Sequence, residues 1–236
     1  MKPYYERDGI VVIHADALRV LPAMPSKSVD IVVTDPPYNA GKNYGSKTND
    51  RRPWPEWCEW FDGVLAECLR VSRDGVLSFL SQPAYRQYVR LGQHEVVWSL
   101  AWIKPLAMAV SAAPFMPHWE HIAYWGAKRH TRGDNSSNGV LWGSDVITAN
   151  VEYGKHRYGH PTPKPMSLMK QLLVKTTGVI LDPFAGSLST LAAAKELGRS
   201  AIGIEIEERF ITAGLRRLEH QPLGLVVERT ESVVLL

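Results

Sequence analysis

Short apolar runs rich in β-branched residues recur along the chain at 10–13, 29–33, 75–80, 96–103, 121–125, 178–181 and 201–206, and each ends in polar or turn-forming residues. Continuous apolar runs of this length mark strands buried on both faces. Between them, apolar residues at helical spacing predict helices over 54–71, 83–92, 166–176, 188–197 and 207–219. Strand–helix alternation predicts an α/β fold with a doubly wound, mostly parallel sheet, in which ligands gather at the carboxyl ends of the strands. The 236 residues suit one such domain, and 45% hydrophobic beside 22% charged residues is enough to fill its core.

Two stretches break the alternation. Residues 39–55 carry Lys42, Lys47, Arg51 and Arg52 beside Tyr44 and Trp54, and residues 128–163 are rich in Gly, Asn, Ser and basic side chains. Long irregular segments inside compact domains are usually functional. The net charge of +3 is compatible with nucleic acid without specifying it. Trp54, Trp57 and Trp60 recur at helical spacing and read as a stripe facing the core. Cys58 and Cys68 lie in a helical pattern with no metal-ligand spacing, which argues against a zinc site or a disulfide framework. No apolar stretch approaches the roughly 20 residues of a membrane span. Met1 is followed by Lys2, Pro3 and two tyrosines rather than an apolar leader core, so a cytoplasmic protein is expected, without metal or membrane.

Three motifs carry chemistry. Asp35-Pro36-Pro37-Tyr38 follows the strand-like VDIVVT. Two prolines fix φ and remove N–H donors, leaving the Asp35 carboxylate and the Pro36 carbonyl as preset acceptors beside an aromatic ring. Such a pair suits an amino group bearing two hydrogens, with Tyr38 placed to stack on the base that carries it. Next, Asp182-Pro183-Phe184-Ala185-Gly186-Ser187 leads from a strand into a helix, the usual cradle for a nucleotide-like ligand. Glu205 lies 23 residues beyond Asp182, at the end of the next strand, where an acid can accept ribose hydroxyls. No GxGxxG is present, which disfavours a nicotinamide cofactor. Third, His160-Pro161-Thr162-Pro163-Lys164-Pro165 opens a helix, where a hydroxyl and a cation can bind a carboxylate.

Together these strings resemble the DNA amino-methyltransferases of the permuted, β-type order, in which the DPPY half precedes the cofactor half. The resemblance runs from His14-Ala15-Asp16 to about Leu218. It implies a Rossmann-like fold that binds S-adenosylmethionine and transfers its methyl to adenine N6 in double-stranded DNA, as part of a restriction-modification or related system. Asp35, Pro36, Pro37 and Tyr38 would then hold the flipped base. Asp16, Asp35, Thr162, Lys164, Asp182, Pro183, Phe184, Ala185, Gly186, Ser187 and Glu205 would surround the cofactor. Ala101-Trp102-Ile103-Lys104-Pro105 and His118-Trp119-Glu120-His121 would border the target pocket, and residues 128–160 would form a short target-recognition insertion. Lys42, Lys47, Arg51, Arg52, Arg129 and Arg132 are the candidate DNA contacts.

One residue departs from the pattern. Where the family reads FxGSGTT, this chain has Leu188 in place of the second glycine. If the position needs positive φ, leucine is unfavourable there. Two alternatives therefore stand beside adenine-N6 transfer. One is cytosine-N4 transfer, since both bases carry an exocyclic amine; the other is a DNA-binding subunit whose cofactor loop is weakened. So short a chain has little room for a separate recognition domain, and a homodimer is the expected assembly.

Overall fold

The computed structural model describes residues 2–42, 44–45, 50–106, 115–126, 144–152 and 163–219. Its strands are β1 (Tyr5–Arg7), β2 (Ile10–His14), β3 (Val29–Thr34), β4 (Ser72–Leu80), β5 (Trp98–Ile103), β6 (Trp119–Trp125), β7 (Val146–Thr148), β8 (Ile180–Asp182) and β9 (Ala201–Glu205). Its helices are α1 (Ala17–Val20), α2 (Trp54–Val71), α3 (Gln82–Leu91), α4 (Met166–Leu173), α5 (Ser189–Glu196) and α6 (Glu208–Glu219).

All these strands form one sheet, in the order β1-β2-β9-β8-β3-β4-β6-β5-β7. The block β2-β9-β8-β3-β4 is parallel throughout, β6 runs antiparallel between β4 and β5, and β1 is an antiparallel edge. Along β2, Ile10 and Val12 enter one core cluster while Val11 and Ile13 enter the other. Burial on both faces is why these strands read as unbroken apolar runs. From β3 the chain crosses to β4 through α2, and from β8 to β9 through α5, so β3 and β8 diverge from the sheet's centre in opposite directions. The crevice above their carboxyl ends is where such sheets bind ligands.

Every predicted strand and helix is present, with small shifts at the ends. Helix α4 stops at Leu173 rather than 176, where the Arg199 guanidinium takes the carbonyls of Leu173 and Thr176 at 2.7 and 3.0 Å. The sequence pattern did not reveal β1, α1 or β7. β7 corrects the reading of 128–163 as irregular throughout, because Val146–Thr148 pairs in parallel with β5. Three residues are too few to show a period. Of that stretch, 128–143 and 153–162 lie outside the described residues.

Helix α2 is anchored on the sheet by an aromatic cluster. Phe61 stacks on Trp57 at 5.3 Å and meets Tyr88 and Trp125 edge-on at 5.2 and 5.9 Å. All four rings are almost wholly buried. The cluster fixes the height of α2 over the sheet, and with it the side chains α2 sends towards the crevice. Phe61→Ala is expected to lower stability by about 3–5 kcal/mol, through lost apolar burial and the void left behind, read as a shift of the urea unfolding midpoint.

Candidate active site

At the end of β3 the Asp35–Tyr38 turn is held from below by α2, whose Trp57 indole donates to the Pro37 carbonyl at 3.0 Å. One Asp35 carboxylate oxygen accepts the Tyr38 hydroxyl, and the other accepts the Lys164 ammonium at 2.5 Å. Lys164 Nζ also lies 3.1 Å from the Tyr38 hydroxyl oxygen. Burial first, and then the Asp35 charge, hold the Tyr38 hydroxyl in its protonated form well above the ordinary tyrosine range. The ammonium rests over three rings, those of Phe79, Tyr38 and Trp102, at 4.9, 5.3 and 5.9 Å from their centres.

The segment after the turn is braced. Asp50 is buried, and its carboxylate takes the N–H groups of Asn39, Ala40 and Lys42 at 2.6, 3.1 and 2.8 Å. The Asn39 side chain pairs with both backbone groups of Arg52, at 2.8 and 2.7 Å. Arg52 then lies over the Trp60 ring at 5.0 Å, and Trp60 packs on Phe184 at 5.8 Å. Lys42 is exposed at its surface, yet partial desolvation and then the Lys164 charge lower its pKa, against the pull of Asp35 and Glu120. Of the other basic candidates, Arg51 is exposed, and Lys47, Arg129 and Arg132 lie outside the described residues.

Across the crevice, β8 ends at Asp182, which is 2% exposed. Its carboxylate accepts the Thr34 hydroxyl at 2.9 Å, the Phe184 N–H at 3.1 Å and the Thr190 hydroxyl at 2.5 Å. Glu205 takes the Gly186 N–H on one oxygen and the Glu207 N–H on the other, each at 2.8 Å. Asp16 caps α1, accepting the Leu18 N–H at 2.9 Å. A cavity opens between the two sides. Asp16, Glu205 and the Asp182–Ser187 loop line one wall, Asp35, Pro37 and Lys164 the other, and Trp57, Trp60 and Arg52 also face it. The structure thus brings together every sequence candidate for the cofactor site except Thr162, which lies outside the described residues. Pro36 and Tyr38 belong to the same turn as Asp35. Sequence reasoning missed Thr34, Thr190, Asn39 and Asp50, and read the tryptophans as core alone. Trp57 is buried in the core and Trp54 and Trp60 pack against it, as expected, but Trp57 and Trp60 also line the cavity.

Leu188 adopts φ 59° and ψ 30°, so the position does need the left-handed conformation that glycine prefers. The leucine side chain does not line the cavity. It is fully buried against α6, where a methyl group added to Gly214 would sit 2.5 Å from Leu188 Cγ. Apolar burial at a glycine-lined notch offsets the strain of the left-handed backbone. Gly214→Ala is expected to cost about 1–3 kcal/mol by overpacking, and most of that loss should vanish in a Leu188→Gly background, read from denaturant midpoints.

Burial pushes the Asp182 carboxyl up to about 7, against the opposing hydrogen bonds of Thr190, Thr34 and Phe184. An unfolded aspartate titrates near 3.9. Between about pH 4 and 7 the folded chain therefore holds a proton at Asp182 that the unfolded chain has lost. Stability from this group declines as pH rises through that window. Asp182→Asn should flatten that part of the wild-type stability–pH curve, measured by urea unfolding across the range.

Comparison with known proteins agrees with this geometry. A family model described as DNA methylase matches residues 29–104 and 119–216. The DNA adenine methyltransferase YhdJ of Escherichia coli K12 is 30% identical over 251 residues, covering 91% of this chain and 84% of the relative. The type II methyltransferase M.HpaI of Haemophilus parainfluenzae is 27% identical, covering 89% of this chain and 74% of its own. The M1.HpyAVI–SAM complex superposes with a TM-score of 0.61 at 23% identity, covering 89% of this chain and 98% of that one. The cytosine-N4-specific PvuII methyltransferase superposes with a TM-score of 0.63 at 15% identity, covering 95% and 98%. With its motif residues gathered on one cleft and the family model matched on both sides of it, the chain belongs to the DNA methylase family.

Proposed function

We propose that the chain transfers a methyl group from S-adenosylmethionine to the exocyclic N6 of adenine in double-stranded DNA. The observation that carries this reading is that the Asp35 turn and the Gly186–Glu205 cradle face one cavity, tied together beneath it by Thr34 and Asp182.

The residues fit the cofactor. Glu205 is fixed by two backbone amides, and each carboxylate oxygen keeps a further lone pair for a ribose hydroxyl. Asp16 keeps an oxygen free of its capping bond for an adenine amine, and Phe184 offers an apolar surface. Bound there, S-adenosylmethionine supplies an electrophilic sulfonium methyl. Asp35 and the Pro36 carbonyl accept the N–H groups of the target amine, which localises its lone pair and orients it, while Tyr38 stacks on the base. Rate enhancement then comes from positioning and electrostatics. A covalent route through cysteine is not offered, because Cys58 and Cys68 are buried in α2 and burial pushes the Cys68 thiol far above its usual range. Leu188 points away from the cavity, which supports an active cofactor loop over a silent DNA-binding subunit.

Adenine is favoured over cytosine by the DPPY turn and by the relative named as an adenine methyltransferase. Lys42, Arg51 and Arg52, beside the turn, are offered to DNA phosphates. A homodimer in the cytoplasm, with a second copy completing recognition, is part of the same proposal. No helix among the described residues is long and apolar enough to cross a membrane.

Labelled methyl transfer to unmethylated genomic DNA, followed by nucleoside mass spectrometry, tests the reading. N6-methyladenine is expected, N4-methylcytosine would change the base, and no incorporation would sink it. Asp35→Ala should lower turnover by at least about a thousandfold with cofactor affinity little changed. Glu205→Ala should weaken cofactor binding by about 10- to 100-fold, measured by calorimetry.

A further inference from the structure

The acceptor that a target amine needs is already occupied. Lys164 donates to Asp35 from among the rings of Phe79, Tyr38 and Trp102, and its side chain is only 9% exposed. A nitrogen donor resting on a carboxylate between aromatic faces is the environment an exocyclic amine on a flat base would occupy. Removing Lys164 from Asp35 without another partner would strand a buried charge.

A second acceptor stands in the same cluster. Glu120 is the ladder partner of Trp102 across β5 and β6, so the two side chains are neighbours on one face. Its Oε1 pairs with Lys104 Nζ at 2.7 Å, and Lys104 Nζ lies 5.4 Å from the centre of the Trp102 ring that Lys164 also approaches. Glu120 Oε2 is buried and has no hydrogen-bond partner among the described residues. A buried carboxylate oxygen left without a donor calls for a use.

We propose that Lys164 is a displaceable counter-ion: in the DNA-free protein its ammonium holds the place of the target amine on Asp35, and on entry of the base it passes to Glu120 Oε2. The inference rests on the amino-methyltransferase reading above. The handover keeps the ammonium paired in both states. It also adds selectivity, because adenine presents an exocyclic amine that restores the bond Asp35 gives up, whereas thymine presents the acceptor O4 at the corresponding position. Lys164 is in this role a positioning residue, and Glu120 its second seat.

The test is DNA affinity in the presence of S-adenosylhomocysteine, which cannot react, using a duplex that carries the sequence methylated by the wild-type protein. Lys164→Met should bind that duplex about 3- to 10-fold more tightly, because the pocket no longer has to be vacated. Loss of one positive charge would by itself weaken binding to phosphates, so the sign is diagnostic. Glu120→Gln should weaken binding by a similar factor and have no effect in a Lys164→Met background. Lys164→Gln, with thermal melting of each variant, serves as the second variant should methionine disturb the fold. Absent transfer by the wild type would fail the functional reading, whereas these affinities bear on the handover alone. Weaker binding by both Lys164 variants, additive with Glu120→Gln, would overturn the handover. So would loss of S-adenosylhomocysteine affinity by calorimetry with DNA affinity unchanged, which would return Lys164 to the cofactor.

Discussion

Thr34 closes β3 one residue before Asp35, and its hydroxyl reaches the carboxylate of Asp182 at the end of β8, 2.9 Å away. The same carboxylate holds the Phe184 amide and the Thr190 hydroxyl, so it ties together the end of β3, the Asp182–Ser187 loop and the first turn of α5. A buried acid bonded on every side is rigid, because each partner would be left unsatisfied if it moved. Transfer between two bound molecules demands such rigidity, since displacing one pocket by an ångström against the other is costly to rate. The raised pKa of Asp182 is the electrostatic side of the same arrangement: three donors support its charge, and burial opposes it more strongly.

Much of this was legible in one dimension. The continuous apolar runs at 10–13, 29–33 and 201–206 became β2, β3 and β9 because both faces of those strands are covered. Asp35, Asp182 and Glu205 were legible for a different reason: each stands at a strand's carboxyl end, and the doubly wound sheet sends those ends to one crevice. Strand direction was not legible. Nothing in WEHIAYW says that β6 runs against β4, since that depends on a pairing made across the fold. Asp50 was equally hidden, because its carboxylate matters only once the chain has folded back to bring residues 39–42 within reach.

The tryptophan stripe and Leu188 show how context changes a local rule. Spacing of three placed Trp54, Trp57 and Trp60 along one side of α2, as expected of a helix packed on a core. That side borders the crevice as well as the core, so the rings of Trp57 and Trp60 pack on the core and also line the cavity. At Leu188 the rule against leucine in a left-handed conformation holds, and the structure answers it from another helix, where Gly214 leaves room for the side chain. Neither answer can be found by reading the motif alone.

Four acids in or near the cleft fall into two physical kinds. Asp50 and Glu205 are held by backbone amides, donors that cannot leave without unfolding a loop, and such carboxylates are fixed parts of the frame. Asp35 and Glu120 are held by lysine ammonium groups on long flexible stems, donors that can exchange one oxygen for another. The HPTPKP string was read as a cation for a carboxylate, and the ammonium does meet one, but it is the carboxylate of the DPPY turn. A site that only bound its cofactor would have no reason to place a cation there. A site that must receive a base, pair its amine and release it again gains from an acceptor whose resting partner is itself an amine.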